Sequence, residues 1–112
     1  MRELLEELIA TFNARAEGDA NLQKEIEGMD RTIQVVTDKS AYHMAIRDSR
    51  IGGLEEGPLE GADVTITCDE ETFRGLVEGT VPPFKAMAMG KLKLKASLED
   101  ALRLRKLLAA RR

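Results

Sequence analysis

The stretch Thr80-Val-Pro-Pro-Phe-Lys-Ala-Met-Ala-Met-Gly-Lys-Leu-Lys-Leu-Lys-Ala-Ser-Leu-Glu-Asp-Ala-Leu-Arg-Leu-Arg-Lys-Leu-Leu108 decides how the chain folds. Pro82 and Pro83 fit only near the start of a helix, where the missing N–H groups have no intrahelical partner to lose. Phe84, Met87 and Ala88 then share one side of about two turns, and Gly90 closes them. Lys91-Leu-Lys-Leu-Lys95 alternates strictly, so it reads as a strand with Leu92 and Leu94 inward and the lysines in water. Ser97 and Asp100 make a capping-box-like start to a last helix, whose negative end is favoured by Arg103, Arg105 and Lys106. Its apolar residues, Leu98, Ala101, Leu102, Leu104, Leu107 and Leu108, form more than a narrow stripe and predict contact on two sides.

Working outward, Leu4, Leu5, Leu8, Ile9 and Phe12 recur at helical spacing and predict an amphipathic helix over Arg2 to Ala16. Gly18 and Asp19 interrupt it, and Leu22, Ile26 and Met29 mark a short second helix ending near Gly28. The period then changes to two. Ile33 and Val35 alternate with Gln34 and Val36, and after a tight turn Tyr42, Met44 and Ile46 share one face. A short third strand follows around Arg50 to Leu54, weakened by two glycines, and Glu55 to Ala62 reads as loop. Ala62 to Cys68 is a fourth strand with Val64, Ile66 and Cys68 on one face. Asp69 caps the next helix, Phe73, Leu76 and Val77 face inward, and Gly79 supplies the left-handed stop. Two helices, several strands, two helices, a strand and a helix predict an α+β fold with helices packed on one face of a mainly antiparallel sheet.

A chain of 112 residues is expected to form a single domain, residues 1–112, large enough for its own core. With 43 % hydrophobic and 33 % charged residues, disorder is not expected. The apolar runs are far shorter than the roughly 20 residues that span a bilayer. Neither a secretory leader nor a peroxisomal tripeptide is recognisable, and the lone cysteine fits a reducing compartment, so a cytoplasmic location is expected. From Lys85 onward there are nine Lys/Arg against two Asp/Glu, and before it eight against eighteen. A basic end in an acidic chain suits an anionic ligand or transient contact with an anionic membrane surface. It does not suggest nucleic acid, because the chain as a whole is acidic and has three Phe, one Tyr and no Trp for stacking.

Catalytic chemistry finds few residues. His43 is the only histidine and alternates onto the face opposite Tyr42, Met44 and Ile46, where a solvated imidazole is expected. Cys68 takes an inward strand position and reads as a small core hydrophobe, and the reactive alternative rests only on the helix start that follows it. The carboxylates of Cys68-Asp-Glu-Glu71 point in different directions on a helix start, so capping explains them better than metal binding. No phosphate-binding glycine loop is present. No catalytic residue, metal or cofactor is therefore expected. Apolar binding remains, since Met29, Met44, Met87 and Met89 are adaptable fillers, although methionines at such spacing serve equally as core.

From about Gly28 to Leu108 the chain resembles the sterol carrier protein 2 family. The resemblance lies in the order Ala62-Asp-Val-Thr-Ile-Thr67, Phe73, Leu76, Gly79, Pro83, Ala86, Gly90-Lys-Leu-Lys-Leu-Lys95 and Ala101-Leu-Arg-Leu104. It implies a five-stranded sheet covered on one face by about five helices, which enclose a hydrophobic tunnel. The implied ligands are lipids: a fatty acid or fatty acyl-CoA, a phospholipid, or an isoprenoid or sterol-like molecule. The residues expected to line the tunnel are Met44, Ile46, Val64, Ile66, Phe73, Leu76, Val77, Phe84, Met87 and Leu102. Met89 stands where a small polar residue is common in the family, and Ala96 where glycine is usual. The family also includes accessory or dimerisation parts of larger enzymes, which keeps an interaction module, with a homodimer as one form, as the alternative.

Overall fold

Ten elements follow one another in the computed structural model, which describes the backbone of residues 1–109 and the side chains of residues 1–103. They are α1 (Arg2–Gly18), α2 (Ala20–Ile26), β1 (Arg31–Val36), β2 (Ala41–Arg47), β3 (Arg50–Glu56), β4 (Val64–Cys68), α3 (Glu70–Glu78), α4 (Pro83–Ala88), β5 (Leu92–Lys95) and α5 (Leu98–Ala109). The five strands form one sheet in the order β3-β2-β1-β4-β5. β1 to β2, β2 to β3 and β4 to β5 pair antiparallel, whereas β1 and β4 run parallel, with Ile33 opposite Val64 and Val35 opposite Ile66. The expected α+β fold with a mainly antiparallel sheet and five helices is the one observed.

Local chemistry fixes the corners. Asp19 ends α1 and caps α2, its Oδ1 accepting from the N–H groups of Asn21 and Leu22. The β2–β3 turn places Asp48 and Ser49 at φ of 52° and 63°, the two left-handed residues that a tight hairpin with right-handed strand twist requires. β3 runs two residues beyond its expected end, because a register shift opposite Met44 absorbs the glycine pair: Gly53, at φ 70°, takes a conformation costly to other residues.

The parallel pair is held at its start by Asp63. Its carboxylate accepts from the backbone N–H of Thr32 at 2.8 Å and from the Thr32 hydroxyl at 3.1 Å, and the N–H of Asp63 donates to that hydroxyl. These bonds hold the pKa of Asp63 below its ordinary value, chiefly through the Thr32 N–H; burial opposes the shift, and the Thr32 hydroxyl and the charge of Arg31 add to it. The cap of α3 behaves alike: Asp69 accepts from the N–H of Thr72 at 2.6 Å and is held below its ordinary value by that bond first.

Gly75 admits the close approach of α3 and the turn that follows it. Past the left-handed Gly79, the N–H groups of Thr80 and Val81 both return to the Gly75 carbonyl, and that of Gly79 returns to Leu76, which folds the chain tightly over the helix end. Any Cβ on Gly75 runs into the side chain of Val81. α4 then starts at Pro83 and is closed by Gly90 at φ 75°.

α5 begins as expected, with the Ser97 hydroxyl accepting from the N–H of Asp100. The Asp100 side chain, however, is buried and turned away from the cap. Both its oxygens accept from Nε of Arg31 on β1, at 3.1 and 3.2 Å, joining the last helix to the central strand. Asp100 in turn raises the pKa of the Arg31 guanidinium, first through the hydrogen bond and then through charge. The broad apolar stripe expected of α5 is not covered at its start, where Leu98 is 78 % exposed. Leu104, Leu107 and Leu108, with Arg105 and Lys106, lie outside the described side chains.

Two outcomes test these corners. Gly75→Ala is expected to cost about 1–3 kcal/mol, because either α3 or the Val81 turn must shift to admit the methyl group, and urea unfolding measures it. Asp63 and Asp69 both have a folded pKa below the ordinary 3.8, so what they contribute to stability is fully present above that value and disappears as pH falls through the depressed folded values. Thermal unfolding followed from pH 5 downward, at about half-unit steps, is expected to show a shallower acid decline in the Asp63→Asn, Asp69→Asn variant than in the wild type.

A candidate apolar ligand site

The inner face of the sheet carries every second residue of each strand, and α1, α3 and α4 lie against it. Leu4 and Leu5 of α1, Val35 of β1, Tyr42 and Met44 of β2, Cys68 of β4, Phe73 of α3, Ala86 of α4 and Leu92 of β5 form one buried cluster. Around it Ile33, Ile66, Leu76, Val77 and Val81 are only half-buried. Ala16, Leu22, Ile26, Met29 and Ile46 make a second cluster under α1 and α2, joined to the first through Ile33 and Ile51. Among the described residues no buried side-chain nitrogen or oxygen lacks a partner, so the layer offers contact surface rather than a polar recognition group.

The ten residues expected to line a tunnel are therefore distributed unevenly. Met44, Ile66, Phe73, Leu76 and Val77 meet in the first cluster. Ile46 belongs to the second, and Val64 is fully buried in β4. Phe84, Met87 and Leu102 lie at the surface, 50 %, 42 % and 49 % exposed. On α4 it is the small Ala86 that packs inward, so the helix turns the opposite side to the sheet from the one its large residues suggest. Leu4 and Leu5 were absent from the expected lining because the recognisable motif order starts only near Gly28. The period of α1, with Leu4, Leu8 and Phe12 in one stripe, is the signal that could have included them.

Two open grooves lie elsewhere. One of about 570 Å³ runs between α1 and the edge strand β3, past Ile9, Ala10, Asn13, Gly52 and Leu54. The other, of about 550 Å³, adjoins α2 and the β2–β3 turn. Neither is lined by any of the ten residues. Asn13 crosses the first groove, donating to the Ile51 carbonyl and accepting from its N–H, so it closes the free edge of β3 as a neighbouring strand would.

The candidates for chemistry are kept apart. His43 is on the outer face as expected, but it is not simply solvated: Nδ1 donates to the Gly57 carbonyl at 2.9 Å and Nε2 stands 3.3 Å from Glu55. The Gly57–Ala62 loop lies over it, with the N–H of Leu59 donating to the side-chain oxygen of Gln34. Cys68 is on the inner face. A thiol and an imidazole on opposite faces of one sheet cannot exchange a proton directly, and burial, then Asp69 and Asp38, push the Cys68 thiol up to about 11. Among the described residues no three His, Cys, Asp or Glu side chains converge as metal ligands, and no helix is long and apolar enough to cross a membrane.

The family profile described as the SCP-2 sterol transfer family matches residues 6–109. The chain belongs to the SCP-2 sterol transfer family. The match takes in most of α1, so the N-terminal helix is part of the SCP-2 fold and not an addition before Gly28. Among curated proteins none matches the chain. The sterol carrier protein domain 2 of Helicoverpa armigera is similar in structure with a TM-score of 0.64 at 23 % identity, over 93 % of this chain and 84 % of that one. Palmitated SCP2L2 from Aedes aegypti is similar with a TM-score of 0.58 at 18 % identity, over 89 % of each. The stereoselective inverting sec-alkylsulfatase Pisa1 from Pseudomonas sp. has a similar part, with a TM-score of 0.61 at 18 % identity over 77 % of this chain. The match takes in only 13 % of the sulfatase.

The raised thiol pKa gives a direct check. At pH 8 a disulfide reagent such as DTNB is expected to label Cys68 on the order of a hundredfold more slowly in the folded protein than in denaturant, since the thiolate is the reacting form. Equal rates would place the thiol outside the apolar layer.

Proposed function

We propose that this SCP-2 domain binds and carries lipids, taking an acyl or similarly apolar chain into the layer between the sheet and α3. The observation that carries the reading is the half-buried rim of Ile66, Leu76, Val77 and Val81 around the buried Met44, Phe73 and Leu92. A rim of this kind parts more readily than a fully closed core, and Met44 adapts its shape to whatever enters. Burying a sixteen-carbon chain from water releases about 12 kcal/mol gross at ~0.8 kcal/mol per methylene. A lipid drawn from a bilayer has already left water, so its exchange into the domain is close to neutral, which suits uptake and release alike.

On this reading residues 1–112 work as a single cytoplasmic domain without catalysis. Membership of the family supports lipid as the ligand class, and the palmitated relative supports an acyl chain within that class. A second reading has its own observation: as the part similar to this chain fills a small share of a sulfatase, the domain serves instead as an accessory or dimerisation module of a larger assembly.

Native mass spectrometry of the purified full chain, followed by extraction, is expected to show co-purified lipid. Leu76→Trp is expected to weaken binding of a fluorescent fatty acid by about tenfold or more, because the larger ring fills the space beside Phe73 and Val77. Absence of lipid, unchanged fatty-acid affinity in the variant and a concentration-dependent dimer mass would together favour the accessory module.

A further inference from the structure

Phe84 and Met87 stand one helical turn apart on α4 and therefore on one side of it, with Met89 following in the turn that Gly90 closes. Among the described residues the exposed large apolar side chains are Phe84, Met87, Met89, Leu98 and Leu102, so all of them come from α4, the turn after it and the first part of α5. Charge is distributed in the same place. Between Glu78 and Glu99 the sequence has Lys85, Lys91, Lys93 and Lys95 and no carboxylate, in a chain whose net charge is −3. All four lysines are exposed.

The turn is firmly built. The N–H of Met89 donates to the Lys85 carbonyl, that of Gly90 to Met87, and that of Lys91 to Ala86, while buried Ala86 anchors α4 to the core beside Leu92. The exposed apolar residues thus sit on a fixed backbone, with Lys85 on the same short helix and Lys91 at the end of the turn. Lys93 and Lys95 alternate away from the inward Leu92 on the edge strand next to it.

We propose that α4 and the turn into β5 form the face by which the domain docks on an anionic lipid bilayer. Phe84, Met87 and Met89 enter the interfacial layer of the membrane, and Lys85 and Lys91, on the same helix and turn, hold the phosphate and carboxylate headgroups. A second copy of this chain fits the face poorly, because two-fold pairing sets its lysines against their equivalents. The proposal rests on the lipid-carrier reading, since docking brings the domain to the pool from which lipid is taken, but it concerns a separate surface. Phe84 and Met87 act here as membrane anchors, not as lining of an internal tunnel.

The test is flotation of the full chain with vesicles of phosphatidylcholine alone and of phosphatidylcholine with phosphatidylserine. Wild type is expected to bind the anionic vesicles, to release as salt is raised, and to leave the neutral vesicles largely unbound. With about fivefold per lysine near the surface, Lys85→Gln with Lys91→Gln is expected to lose about 25-fold in affinity while keeping its co-purified lipid and its thermal midpoint. Phe84→Gln with Met87→Gln is expected to lose about tenfold or more; should that variant unfold, the lysine pair decides alone. The proposal is overturned if wild type ignores anionic vesicles or if the folded variants bind them as wild type does. It is equally overturned if the apolar pair abolishes a dimer without affecting vesicle binding. Failure to dock with lipid still bound rejects this face only, whereas docking by a protein that never holds lipid rejects the carrier reading.

Discussion

The parallel pairing of β1 with β4 is the constraint from which the remaining architecture follows. β2 and β3 extend the sheet to one side of β1 as ordinary hairpins, so the chain must cross back before β4 can lie on the other side. Asp63 takes the N–H and hydroxyl of Thr32 at the point where β4 begins, which fixes the register before the first residue of the ladder. A shift by one residue would turn Val64, Ile66 and Cys68 to the outer face. With the register set, β4 delivers Asp69 to the start of α3 and leaves its far edge for β5, so that α3, α4 and β5 close the apolar layer in chain order.

The return crossing also explains the outer face. The Gly57–Ala62 loop passes over the sheet and takes up its polar residues: Gln34 reaches the N–H of Leu59 and the hydroxyl of Thr65, and His43 reaches the Gly57 carbonyl. One face is thus a polar surface closed by a loop, and the other an apolar layer closed by helices. The only histidine and the only cysteine fall on different sides of that division, which removes the obvious nucleophile and base pair and leaves contact surface as the resource of the inner face.

Most of the fold was legible because its signals are local. Period-two alternation identified the strands, Asp69 and Gly79 bounded α3, and Tyr42, Met44 and Ile46 were placed correctly on one side. What escaped were features that depend on residues distant in sequence. Alternation states which face a residue takes and not which strand lies beside it, so the parallel pair was not readable. Asp100 looked like a capping residue because Ser97 stands three positions earlier; its side chain is committed to Arg31, 69 positions away. His43 alternated outward correctly, but no local rule says that a loop will cover it. Of the residues expected to line the site, Met44, Phe73, Leu76 and Val77 share one cluster, whereas Phe84, Met87 and Leu102, at its periphery, lie at the surface.

That periphery is instructive because size and orientation point in opposite directions on a short helix. α4 has six residues, too few for a stripe to define an inward side, and hydrophobicity alone would bury Phe84 and Met87. The tight turn at Gly75 and Gly79 folds the chain back over the end of α3, and on the short helix that follows it is the small Ala86 that packs into the core. The larger residues are then left outside by geometry, next to lysines placed in water by the alternation of β5. The short helix thus divides its apolar groups, with Ala86 serving the interior of the domain and Phe84 and Met87 presented to its surroundings.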